Sequence, residues 1–239
     1  MIFIALETIV ILNGIFSILF LTINTFIGLK IACRYRTYRE TRLLLVGIAW
    51  LGMGRPWLAS SVSFINLLFT GKGISAFLYI ILNFLMISIF VILWIIAINS
   101  LIKMRGFKIF FALFLIYTII FELVILFYLF TNLEVLAVFV NPVDMDLGPI
   151  LIIYLFVNLA TFMALGFLFA AKSLKSEKQE VKLKGRFLFI AFFLFLIGAA
   201  FEILVSFPPN RLILVVSGII FYIGFTMPEG VKKRLLKSS

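Results

Sequence analysis

FKIFFALFLIYTIIFELVILFYLF, Phe107–Phe130, is 24 residues long and holds two charges, Lys108 at its start and Glu122 in its second half. At 1.5 Å per residue a helix of this length covers about 36 Å, enough for the roughly 30 Å hydrocarbon core of a bilayer. A transmembrane strand needs only about 10 residues and alternates apolar with polar, which this run does not do. The stretch therefore reads as a membrane-crossing helix, and it has counterparts along the chain. Between breaks that are charged or rich in Pro and Gly lie seven such helices: 2–29, 43–68, 74–101, 107–130, 149–171, 187–206 and 211–228. The predicted fold class is all-α: a polytopic membrane bundle of seven transmembrane helices, in one domain over 1–239.

Composition agrees. Of 239 residues 64% are hydrophobic and 13% charged, with mean hydropathy +1.26; soluble domains carry about 25% charged residues. The net charge of +11 points to the membrane surface rather than to nucleic acid, because the cations sit in short loops. Histidine is absent, which removes histidine bases and histidine metal sites, and no metal or cofactor is expected. One cysteine, Cys33, excludes an internal disulfide framework and reads as a buried-type thiol.

The connections alternate in charge. KIACRYRTYRETR, KMRGFK, KSLKSEKQEVKLKGR and the tail VKKRLLKSS hold 18 of the 21 Lys and Arg. GKG, the 131–149 loop and FPPNR hold almost none. Basic loops stay in the cytoplasm, so the N-terminus is expected outside and the C-terminus inside. The first helix lacks the basic flank and small-residue cleavage site of a signal peptide. In the 131–149 loop, LEVLAVFV is expected to lie flat at the interface before an Asn141-Pro142 turn. Asp144 and Asp146 read as a solvated acidic loop.

Within the spans, charge is rare and costly, at least about 2.5 kcal/mol per group on insertion scales. AWLGMGRPWLAS, Ala49–Ser60, places Arg55 next to Pro56 between Gly52, Gly54 and Trp57. Arg55 lies 13 residues above Arg42, Glu122 lies 14 above Lys108 and Glu202 lies 16 above Arg186. All three therefore fall about 20–24 Å above the basic end, where one guanidinium can engage two carboxylates. Glu7, Asn13, Tyr117 and Asn158 complete the candidate ligand-binding set, with Thr118, Tyr154 and Ser206 nearby. Pro56 predicts a kink that frees a carbonyl beside the charge. FELVILF (121–127) and FEILVSF (201–207) echo one another around the two glutamates.

Absences narrow the function. No lysine lies within the last helix to hold retinal, and both Asp residues fall in a loop, away from any intramembrane aspartyl dyad. Only Pro56 lies inside a span, unlike the proline-broken helices of seven-helix sugar transporters. The expected activity is not enzymatic, for want of a nucleophile–base pair.

The outward N-terminus, the seven spans and the ending YIGFTMPEGVKKRLLK (Tyr222–Lys237) resemble the membrane sensor regions of some prokaryotic histidine kinases. Those proteins continue into a kinase where this chain stops, so the resemblance implies a stand-alone sensor signalling through a cytoplasmic partner on its basic face. The expectation is a receptor-like protein of the cell membrane, with the lipid bilayer as partner. Arg55 would bind a small polar or anionic ligand from outside. A small transporter or channel subunit using the same cluster, or a structural subunit, are the alternatives.

Overall fold

The computed structural model describes residues 7–205 and 208–236. The elements are α1 (Thr8–Tyr38), α2 (Thr41–Gly52), α3 (Leu58–Thr70), α4 (Ala76–Asn83), α5 (Ile87–Ile102) and α6 (Phe107–Thr131). A hairpin of β1 (Ala137–Asn141) and β2 (Asp144–Leu147) follows, then α7 (Pro149–Leu174), α8 (Gln179–Val205), α9 (Arg211–Thr226) and α10 (Glu229–Leu236). Among the described residues six helical stretches are long and apolar enough to cross a membrane, with α2–α3 and α4–α5 counted as one broken stretch each. A seventh exists only if α9 and α10, bent by 81°, are taken together. This is the architecture of a multi-pass membrane protein. Residues 2–6 of the first predicted helix, Ser206 and Phe207 at the end of the echo, and Lys237 lie outside the described residues.

The helices define two ends, one carrying the basic connections and one carrying the hairpin. At the basic end the first helix runs on to Tyr38, past the predicted boundary at 29, because no Gly or Pro interrupts Lys30–Tyr38. Cys33 is exposed there, not buried as its residue type had implied. The extension carries Arg34, whose Nη1 donates to Thr226 O at 3.0 Å, and at the same end Lys172 of α7 donates through Nζ to Ile102 O at 2.9 Å. Each places a cation on the orphan carbonyls at a helix C-terminus, where the dipole is negative. Lys232 holds α10 to the start of α8 through Glu180, 2.6 Å away.

The helices pack with their small and polar residues inward. The buried stripe of α1 includes Asn13, Gly14, Ser17, Asn24 and Gly28, while Ile15, Phe26 and Leu29 face outward. That is the pattern expected where lipid is as apolar as leucine and association rests on close packing and hydrogen bonds. At the α1–α2 crossing a Cβ on Gly47 would meet the Ala32 backbone N at 2.5 Å and Gly28 O at 2.6 Å. Only glycine lets the two backbones approach this closely.

The middle of the bundle is closed by aromatic rings. Trp50 stacks on Phe221 with centroids 3.6 Å apart, Trp94 on Phe162 at 4.5 Å, and Phe192 packs against Trp94 and Phe221. Trp94 Nε1 donates to Phe162 O at 3.0 Å, so its polar edge is satisfied within the layer.

Two spans break side by side. Pro56 has no N–H and its ring excludes an α-helical carbonyl four residues back, so residues 53–57 close into tight turns with Met53 N donating to Trp50 O and Trp57 N to Gly54 O. The kink expected at Pro56 is therefore a full interruption, Gly52 to Leu58. The second break, between Asn83 and Ile87, has neither Gly nor Pro. Met86 there adopts φ 66°, a left-handed conformation that costs a residue with a Cβ about 1–2 kcal/mol.

The 131–149 loop is a hairpin rather than an apolar segment flat on an interface. β1 and β2 pair antiparallel, Ala137 with Leu147 and Phe139 with Met145, with an irregularity before Asn141. Asn141 Oδ1 accepts from Val143 N at 3.0 Å and fixes the turn around Pro142. The tip is anchored to the bundle: Ser63 Oγ donates to Pro142 O and Tyr79 OH to Val143 O. Leu136, Ala137, Val143 and Met145 are buried as a result.

Candidate functional site

Each break leaves backbone donors and acceptors without their helical partners, and every such group costs several kcal/mol in hydrocarbon. The two broken spans supply each other. Arg55, in the first break, donates through Nη2 to Ile81 O at 3.0 Å and Leu85 O at 2.9 Å in the second. Asn83, at the second break, accepts from Ala59 N at 2.7 Å in the first. Asn24 of α1 donates to Trp50 O at 3.0 Å.

Glu122 completes this arrangement. Its two carboxylate oxygens accept from Met86 N at 3.0 and 3.2 Å. Leu85 O and Met86 N belong to one peptide group, so Arg55 holds its oxygen and Glu122 its N–H. The signs follow the helix dipoles: a cation at the carbonyl end of α4 and an anion at the amide end of α5. Tyr154 OH donates to Glu122 Oε1 at 2.7 Å and accepts from Ser88 N at 3.1 Å. Ser88 Oγ donates to Asn158 Oδ1, and Asn158 Nδ2 reaches Tyr117 OH at 3.2 Å and Tyr154 O at 2.8 Å. Arg55, Glu122, Tyr117 and Asn158 thus belong to one network.

Glu202 does not join them. Among the described residues Arg55 has no ion pair, and Glu202 is bound instead by Arg211, Nε to Oε1 at 2.8 Å, with Nη2 on the same oxygen. Arg211 Nη1 donates to Asn13 O at 2.8 Å and Ser17 Oγ at 2.6 Å. Trp57 Nε1 adds a third donor to Glu202 Oε1 at 3.3 Å. Asn13 Nδ2 reaches Asp144 Oδ2 at 3.5 Å. The single three-charge cluster expected from helix depth is therefore two clusters. The reason is that Arg211, the first residue of α9 and buried to 3% exposure, takes Glu202 for itself, and helix depth had considered Arg55 alone as the cation.

Glu7 is exposed at the start of α1, where its carbonyl, not its side chain, accepts the first helical N–H groups. It belongs to neither cluster. Thr118 turns its hydroxyl back to Phe114 O in its own helix. The two glutamates of the echoed motif do different work, one capping a broken helix and the other pairing with an arginine.

Between the clusters and under the hairpin lies a cavity of 270 Å³. Glu202, Arg211, Asp144, Asp146, Asn83 and Asn158 line it together with Ser60 and Tyr79, whose hydroxyls share a 2.7 Å hydrogen bond. Its apolar wall includes Trp57, Phe84, Phe156 and Phe195. Arg55 does not line it. Burial raises the Asp144 carboxyl above the usual carboxylate range; Glu202 and Asp146 push the same way, and Arg211 pulls it back down. One turn toward the basic end from the lining residues Met53, Val91, Leu159 and Phe195 stand Trp50, Trp94, Phe162 and Phe192, the aromatic layer. The cavity is thus roofed by the hairpin and floored by stacked rings.

Sequence reasoning missed Arg211, Ser17, Trp57 and Asn83, and it gave Asp144 to solvent. One signal was available for Arg211: only it and Lys72 interrupt the cation-poor connections, and an arginine opening a helix opposes the dipole unless a carboxylate answers it. No family model, curated protein or solved structure matches this chain.

Proposed function

We propose that this chain is a receptor-like or sensory protein of the cell membrane, with seven spans and the hairpin end outside. It binds a small polar ligand in the hairpin-end cavity and signals through a separate cytoplasmic partner docked on its basic face. The observation that carries this reading is the cavity itself, lined by ionic, polar and aromatic side chains, and closed beneath by the Trp50–Phe221 and Trp94–Phe162 stacks. A site sealed by rings toward the basic end favours binding without passage. The distribution of Lys and Arg supports the orientation.

Broken helices side by side are also how many transporters build solute sites, and this favours a transporter as the second reading. Here, though, the freed backbone groups are already occupied by Arg55, Glu122 and Asn83. The test is thermal unfolding of the protein in lipid nanodiscs against small polar metabolites, paired with solute uptake into proteoliposomes. Stabilisation without uptake supports the sensor; uptake that is pH-dependent and lost in Glu122→Gln or Glu202→Gln establishes the transporter instead.

A further inference from the structure

We infer that the cavity takes a small organic cation, an ammonium group on a compact apolar body. This rests on the reading that the cavity is a ligand site, and it reverses the ligand charge that the sequence had implied through Arg55.

Three independent features point the same way. The first is the sign of the wall. Among the described lining residues three carboxylates, Glu202, Asp144 and Asp146, stand against one cation, Arg211. Four of the five Arg211 N–H groups are engaged, Nε and one of Nη2 on Glu202 and both of Nη1 on Asn13 O and Ser17 Oγ, and its side chain is only 4% exposed. An anion entering here would meet three carboxylates and a single remaining guanidinium N–H, a like-charge juxtaposition made worse by low dielectric.

The second feature is the kind of atom left unpartnered. Glu202 Oε1 accepts from Arg211 and Trp57, while Oε2 of the same carboxylate is buried with no donor among the described residues. A buried acceptor without a donor is uncommon enough to need a reason. Among the described residues Oε2 is the one unpartnered buried side-chain atom that belongs to a lining residue; Asn13 Oδ1, Asn24 Oδ1, Arg55 Nε, Trp50 Nε1 and Asn210 Nδ2 belong to residues that do not line the cavity. What the site lacks is a donor of positive charge.

The third feature is the aromatic lining. Trp57, Phe84, Phe156 and Phe195 border the same 270 Å³ as the carboxylates, and aromatic rings attract cations through their quadrupole and take up an apolar stem. Asp146, on the exposed part of β2, stands where an arriving cation is attracted before it reaches Glu202.

The test uses the full chain in nanodiscs of zwitterionic lipid, with calorimetric titration of three matched probes: phenethylammonium, 2-phenylethanol and 3-phenylpropionate. Benzyltrimethylammonium joins as a cation that cannot donate a hydrogen bond. Phenethylammonium is expected to bind at least tenfold more tightly than the alcohol, with no binding of the carboxylate. Benzyltrimethylammonium is expected to fall between phenethylammonium and the alcohol. Asp144→Asn and Asp146→Asn leave the Glu202–Arg211 pair intact and are each expected to weaken phenethylammonium threefold to tenfold, with the alcohol unchanged. Equal or tighter binding of 3-phenylpropionate or 2-phenylethanol overturns the cation inference and leaves the ligand site standing. Absence of binding by all four, to millimolar concentration, removes both. Cation binding unmoved by either Asp variant places the ion elsewhere and overturns the inference alone.

Discussion

The pairing of Glu202 with Arg211 makes a quantitative demand on stability. Arg211→Met removes four hydrogen bonds at once: two to Glu202, one to Asn13 O and one to Ser17 Oγ. It leaves a carboxylate whose side chain is 18% exposed without its cation. Removing one partner of a buried pair costs about 3–5 kcal/mol, and the residual exposure of Glu202 sets the expectation at the lower bound, about 3 kcal/mol. At 1.4 kcal/mol per decade that is roughly a hundredfold in the unfolding equilibrium. Glu202→Leu should cost a similar amount, because it strands a guanidinium that is almost entirely enclosed. The double variant should cost little more than either single, since no uncompensated charge then remains. The predicted coupling is about 3 kcal/mol, read by steric trapping of the four proteins in bicelles. If the two single losses add to within about 0.5 kcal/mol in the double variant, the two residues do not act as a buried pair and this account of the hairpin-end cluster is wrong.

Other consequences can be checked in the same preparation. Arg55→Met strands two carbonyls that a charged donor now satisfies, at about 1.5–3 kcal/mol per bond. The loss should be near 3 kcal/mol, with hydrogen exchange accelerating first at residues 85–89; uniform acceleration over all helices would contradict a local role. Glu122→Gln keeps one acceptor for Met86 N and should cost about 1 kcal/mol, much less than Glu122→Ala, and equal losses would show that the cap is not what matters. Asp144 has its carboxyl raised above the ordinary value of 3.8 by burial, with Arg211, Glu202, Asp146 and the Met145 N–H around it. Its contribution is therefore fully present below that value and lost as pH rises through the folded one. The wild type should gain stability over Asp144→Asn as pH falls from neutral toward 4, and the opposite slope would reverse the sign of the shift. Gly148→Ala would place a Cβ 2.1 Å from Val135 O and is expected to destabilise by about 1–3 kcal/mol, visible as faster proteolysis within 131–148.

How much of this was legible in advance depends on what kind of signal each element leaves. Long apolar runs and basic loops are written in composition, so α1, α6, α7 and α8 follow directly from the sequence. The break at Pro56 is also written, in a residue that lacks an N–H. The break at Asn83–Ile87 leaves no such mark, because it is imposed by partners distant in sequence: Arg55 at its carbonyls, Glu122 at its amide. Helix rotation was illegible for a related reason. With lipid outside, the buried face of α1 is the polar and small one, and a stripe of Asn13, Ser17 and Asn24 among apolar residues gives little amphipathic contrast.

The candidate site shows where depth along a helix misleads. Placing charges by residue count from the basic end put Arg55, Glu122 and Glu202 at one level, and level alone was taken as proximity. Two of the three do converge, on the single peptide group between Leu85 and Met86, but they converge on backbone that only a broken helix exposes. The third is answered by Arg211, which opens the last helix at its far end and was not counted among the charges within the spans. The same displacement changes the chemistry of the cavity. With Arg55 engaged by carbonyls outside the lining and Arg211 held by Glu202, Asn13 O and Ser17 Oγ, the charge facing the empty volume is mostly carboxylate. A site that looks cation-rich when arginines are counted is acceptor-rich when their hydrogen bonds are followed.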